Sequence, residues 1–184
     1  QVDVGNKDGE TLKVDNNISV KDIKSVRVGT NKRAIALNGN PLPKDTMAAQ
    51  YSLPYTAAVA LTHDPRDPRH YGEDRLGDNT EVSALAKRVE LYNDQEMEAM
   101  YPRYGTVAQV TLNDGRKIDT KLLDAHGTPA DPCTEDEAKE KFRMLGSVTN
   151  SAESIQQVLD IVGKLDKLPS VAPLSAALRS GIKA

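Results

Sequence analysis

Apolar residues recur along this chain with two periods, two residues in some segments and three to four in others. Val2 and Val4 alternate with polar residues, Gly5-Asn6-Lys7-Asp8-Gly9 reads as a turn, and Leu12 and Val14 follow, which predicts a hairpin. Ser19 to Ile23 reads as one short helical turn, Ser25 to Gly29 as a short strand, and residues 38–46 as loop. Ser52 is placed to cap a helix whose first turn holds Pro54, where a missing N–H costs nothing, with Tyr55, Ala58, Val59 and Thr62 on one face. Residues 63–78 carry charged residues and prolines and read as a loop. Thr80 to Arg88 predicts a helix with Val82, Leu85 and Ala86 inward, followed by a strand at Val89 to Leu91 and a short helix from Gln95 to Met100.

The clearest hairpin spans residues 105–123. Ala108, Val110 and Leu112 share one strand face, Asn113-Asp114-Gly115 makes the turn, and Ile118 and Leu122 return on the matching face. Residues 127–132 form a linker. Thr134 with Glu137 three residues on is a capping box, and Ala138, Phe142 and Leu145 form the apolar stripe behind it. Ser151 opens a last long helix, with Ile155, Val158, Leu159, Val162 and Leu165 on one side and Pro169 as its stop, and a short helical tail follows. Without regular strand–helix–strand alternation, the expected class is α+β: an antiparallel sheet with helices packed on one face, plus C-terminal helices. Residues 1–184 are expected to form a single domain in which 133–184 is a helical C-terminal segment.

Composition narrows the picture. The 184 residues hold 24 basic and 27 acidic side chains for a net charge of −3, intermixed along the chain, so no basic footprint for nucleic acid is present. Mean hydropathy is −0.54, and no stretch approaches the roughly 18 apolar residues of a membrane helix. Cys133 is the one cysteine, so no internal disulfide framework exists and a reducing, cytoplasmic compartment is expected. The chain opens Gln1-Val2-Asp3, which reads as a fragment of a longer protein.

Candidate chemistry is sparse. His63, His70 and His126 each sit in a loop, and none has a His or Cys partner at zinc spacing; no metal site is expected. Asp64, Asp67, Glu73 and Asp74 are interspersed with Arg66, Arg69 and Arg75, a pattern of solvated ion pairs. Arg66 and Arg69 are also candidates to clamp a carboxylate-bearing substrate through paired N–H donors. Tyr55 stands in the first turn of an otherwise small, apolar helix. Buried there, its hydroxyl needs a partner, and a phenol can donate to a substrate carboxylate or assist proton transfer. It is the candidate catalytic residue.

Several segments resemble one family in order and spacing. Tyr51-Ser52-Leu53-Pro54-Tyr55 before an Ala-rich helix resembles the F-S-L-P-Y signature of the MmgE/PrpD family. Val82-Ser83-Ala84-Leu85-Ala86-Lys87-Arg88-Val89, Met100-Tyr101-Pro102, the Asp114-Gly115-Arg116 turn, Gly127-Thr128-Pro129-Ala130-Asp131-Pro132 and Lys141-Phe142 resemble further motifs of the same family. The resemblance covers roughly residues 20–165 and matches the family's C-terminal α+β domain. Tyr51 in place of Phe, the charged loop from Asp64 to Arg69, and Cys133 in place of Leu depart from the pattern.

The resemblance implies metal-free and cofactor-free dehydration of a small tricarboxylate, as in the family's 2-methylcitrate dehydratases. It also implies that the principal Asp and His groups lie in a helical N-terminal domain of the parent chain, that this chain alone is inactive, and that the enzyme is a homodimer. Of the residues matched, Tyr55 falls at the family's active-site cleft. Epimerase or decarboxylase chemistry of the same family is the alternative, and a non-catalytic ligand- or protein-interaction module is a third reading.

Overall fold

The structure, a computed structural model, describes residues 18–180, so the hairpin expected at Val2 to Val14 lies outside the described residues. The chain divides into two compact units, the first ending at Pro132 and the second beginning at Cys133.

Among the described residues, the first unit is built on a four-stranded sheet. Its strands are β1 (Ile23–Thr30), β2 (Val89–Asn93), β3 (Thr106–Leu112) and β4 (Lys117–Leu122), in the order β2-β1-β3-β4. The hairpin of β3 and β4 is antiparallel and turns through Gly115 at φ +89°, a conformation that costs glycine little. β3 also runs antiparallel to β1. β1 and β2, however, pair in parallel, where the sequence pattern predicts an antiparallel sheet throughout. The reason is the connection: four α-helices lie between these strands and carry the chain back to the starting end of the sheet.

Register separates the two faces of the sheet. Val89, Val26, Val110 and Ile118 are neighbours in one row, and Glu90, Arg27, Gln109 and Asp119 form the next. Successive residues of a strand point to opposite faces, so the first row belongs to the core and the second to the polar face. There Arg27 Nε donates to Glu90 at 3.1 Å and Gln109 Nε2 to Asp119 at 2.7 Å. The α+β class and the alternation of core and polar rows follow the sequence pattern.

The connecting helices are α1 (Lys32–Asn38), α2 (Thr46–Tyr51), α3 (Leu53–Thr62) and α4 (Glu81–Ala86); α5 (Gln95–Ala99) follows β2. The periodicity does not predict α1 or α2. Asn31 and Asp45 cap them, accepting from the N–H groups of Ala34 and Ala48 at 2.8 Å each. α3 begins as predicted: Ser52 Oγ accepts from Tyr55 N–H at 3.0 Å, and Pro54 sits in the first turn. The pattern predicts one buried face, yet every residue from Pro54 to Leu61 is buried. Small Ala side chains let neighbouring elements close in on all sides. The Thr56 and Thr62 hydroxyls are satisfied within the helix, donating to Ser52 O and Ala58 O at 2.8 Å each.

The second unit holds α6 (Glu135–Gly146), α7 (Ala152–Val162) and α8 (Ala172–Ser180). The Thr134–Glu137 capping box forms as expected. The α6 stripe is less covered than predicted, because no residue of that helix is fully buried. α7 ends at Val162, before the Pro169 stop, with Gly163 N–H bonded to Leu159 O at 2.9 Å and a 3-10 turn at Leu165–Lys167. Among the described residues, the buried apolar side chains of this unit are Ile155, Val158 and Ala177.

Leu85 is fully buried in the sheet core and Leu37 is 70% exposed. Leu85→Ala should therefore lower unfolding stability by about 2–5 kcal/mol, and Leu37→Ala by less than about 0.5 kcal/mol. Urea midpoints of the full chain measure both, and equal midpoints for the two variants would contradict this placement of the core.

Candidate functional site

Tyr55 is drawn into the core by the same cap that starts α3, and it is 1% exposed. Its hydroxyl donates to the backbone carbonyl of His70 at 3.2 Å. The ring lies against Tyr71, centroids 6.2 Å apart and planes 58° apart, and the Tyr71 hydroxyl donates to Pro65 O at 3.0 Å. Two phenols thus tie down opposite ends of the segment from Pro65 to His70. Burial raises the Tyr55 pKa. Burial first, then the neighbouring Tyr55 and Asp64, pushes Tyr71 up to about 12. Both phenols are neutral hydrogen-bond donors near pH 7.

The segment between them is Asp-Pro-Arg written twice, and each copy folds the same way. Asp64 Oδ1 accepts from Arg66 N–H at 2.9 Å and from its Nε at 3.1 Å, while Nη2 reaches Oδ2 at 3.0 Å. Asp67 Oδ1 accepts from Arg69 N–H at 3.0 Å and from its Nε at 2.8 Å, while Nη2 reaches Oδ2 at 2.5 Å. Proline fixes φ in the middle of each tripeptide, so the carboxylate meets both the backbone and the guanidinium two residues on. The bonded Arg66 holds the Asp64 carboxyl below its ordinary value against the opposing effect of burial. Arg69 does the same for Asp67 and brings it to about 2. The two arginines proposed for substrate are therefore already bound to acids of their own loop.

Beside them lies a juxtaposition that a linear reading of the loop misses. The rings of His63, which caps the C-terminus of α3, and His70 are 4.2 Å apart at 41°. His70 Nε2 is 3.9 Å from Asp67 Oδ2. The signal available in the sequence is the doubled tripeptide, whose two turns fold the chain back on itself. His126 lies apart from this cluster in the chain and pairs with Asp131 at 3.3 Å. Cys133 is exposed ahead of the α6 cap.

Among the described residues, no group of three or more His, Cys, Asp or Glu side chains is arranged to hold a metal ion. A groove of about 1040 Å³ belongs to the second unit and is lined by residues including Arg143, Gln156, Ile161, Lys164 and Leu168. It contains none of the site residues predicted from sequence. Among the described residues, no helix is long and apolar enough to cross a membrane.

A family model described as the MmgE/PrpD C-terminal domain matches residues 10–166. The chain belongs to the MmgE/PrpD family. The match runs through the first unit and into the second, and it includes Tyr55 and the doubled Asp-Pro-Arg segment. No curated protein matches the chain.

In this MmgE/PrpD domain the Asp67–Arg69 pair has a defined pH signature. A carboxyl held below its unfolded value stabilises the fold above about pH 4 and loses that contribution as pH falls toward 2. Asp67→Asn should be less stable than wild type at pH 7 and should lose less further stability between pH 4 and 2. Parallel loss in both proteins across that window, followed by chemical denaturation, would discount the pair.

Proposed function

We propose that this chain is the C-terminal domain, both units included, of a hydro-lyase of the 2-methylcitrate dehydratase type acting on a small tricarboxylate. The observation that carries the proposal is the family match over residues 10–166. Dehydration requires a base to take a proton from the carbon beside a carboxylate and an acid to protonate the departing hydroxyl. The C–H and C–O bonds break, a C=C bond forms, and water leaves. We assign the principal acid and base to the helical N-terminal domain of the parent chain, so that this chain alone is inactive.

Tyr55 is the catalytic contribution proposed for this domain. Its raised pKa keeps the phenol protonated near neutral pH, which suits it to donate to a substrate carboxylate or to the leaving hydroxyl. To do so it must exchange the His70 carbonyl for substrate. Arg66 and Arg69 reach a substrate carboxylate by a similar exchange with Asp64 and Asp67, and they serve more as electrostatic guides than as a rigid clamp. The exposed Leu37, Met47 and Tyr51 of α1 and α2 are proposed to meet the helical domain.

In the full-length parent, Tyr55→Phe should lower kcat by roughly tenfold or more while leaving the fold intact. The isolated chain should give no turnover. An assay against citrate, methylcitrate, aconitate and iminodisuccinate separates dehydration from epimerisation and decarboxylation. Unchanged kcat and KM in Tyr55→Phe would return Tyr55 to a packing role, and turnover by the isolated chain at the full-length rate would overturn the division of labour.

A further inference from the structure

The doubled Asp-Pro-Arg segment places two imidazoles in contact and makes the backbone of one of them the hydrogen-bond partner of Tyr55. His63 terminates α3, and its Nδ1 lies 2.7 Å from Thr62 Oγ1. With that hydroxyl donating to Ala58 O, 2.8 Å away, it accepts from His63 and the ring proton sits on Nδ1 in that tautomer. An added proton then goes to Nε2. His70 carries the carbonyl that accepts from the Tyr55 phenol, while its ring lies 4.2 Å from that of His63.

The acids around the pair are largely bound to arginines of the same segment. Asp67 is 3.9 Å from His70 Nε2, and Arg69 is bound to it. The C-terminal end of α3 favours a cation at His63. Asp64 is bound to Arg66. Tyr55, from α3, and Tyr71 are buried phenols with raised pKa values. α2, which packs against the turn, carries Tyr51 as its titratable side chain, and the following turn carries Glu73 with the paired Asp74 and Arg75. With Asp67 already shared with Arg69, a second imidazolium sets two like charges in ring contact. Histidine is the side chain whose charge ordinarily changes between pH 5 and 8.

We infer that His63 and His70 form a proton-sensitive latch on Tyr55. With at most one ring charged, the rings stay together and hold the His70 carbonyl on the phenol. A second proton separates the rings, shifts the turn from Pro68 to Tyr71, and releases the Tyr55 hydroxyl. The bearing of this latch on catalysis rests on the role proposed for Tyr55, but the latch itself can be read without any assay of turnover. His63 and His70 are thus positioning residues, acting through a backbone carbonyl.

The test uses the full chain with ring-labelled tyrosine. It contains six tyrosines, and the Tyr55 resonance is the one missing from Tyr55→Phe. Between pH 8 and 5, the range in which histidine side chains ordinarily change charge, the wild-type Tyr55 ring carbon should shift. His70→Phe keeps the carbonyl and an aromatic ring but cannot be protonated, and His63→Gln removes the other charge. In both, the shift should disappear. A Tyr55 resonance that stays constant in wild type overturns the latch. So does an unchanged shift in both variants, and loss of the shift in only one of them reduces the pair to a single-histidine effect and overturns it as well.

Discussion

A helix enclosed on all sides keeps its polar groups only if each finds a partner nearby, because an unpaired buried donor costs on the order of 1–3 kcal/mol. α3 is under that constraint from Pro54 to Leu61. Thr56 and Thr62 solve it internally by bonding back to their own helix. Ser52 solves it twice, accepting from Tyr55 N–H and donating to Asn40 O at 2.5 Å, which fastens the preceding loop to the helix start. Tyr55 has no intrahelical solution for its hydroxyl and reaches outward to His70. The position of the charged loop therefore depends in part on a polar atom that is costly to leave unpaired.

That dependence explains how a loop of this composition holds a defined course. Its charges are compensated locally, each arginine by the aspartate two residues before it, and its ends are held by two buried phenols. Exposed ion pairs contribute little to stability one by one. Here they share the task with backbone bonds from the same carboxylates, so each Asp-Pro-Arg turn is fixed by several contacts to one side chain. The arrangement gives an MmgE/PrpD domain an electrically balanced rim beside a neutral phenol.

Local features are the legible ones. The cap at Ser52 with Pro54, the capping box at Thr134 and the Asn113-Asp114-Gly115 turn are set by residues within a few positions of one another, and all three form. α1 and its Asn31 cap are also local but hard to read, because the Lys, Arg and Ala residues mixed along α1 give a weak apolar stripe. The parallel pairing of β1 with β2 joins Val26 to Val89 across four α-helices, and nothing in either strand encodes its direction. At the site, the residue types point to Tyr55 and the arginines. What those groups bond to is decided by the three-dimensional course of the loop, so the His63–His70 contact and the capture of the phenol by a carbonyl are not visible in a linear pattern.

The sheet ends at β4, whose outer edge has no strand partner among the described residues. Such an edge can recruit another chain by simple backbone pairing. β4 is short, and its exposed residues Lys117, Asp119 and Lys121 alternate with half-buried Ile118, Thr120 and Leu122. An intruding strand would have to bring its own side chains beside these charges and strip their water. The same hairpin that completes the core thus makes fibre-like stacking of copies unfavourable along this border.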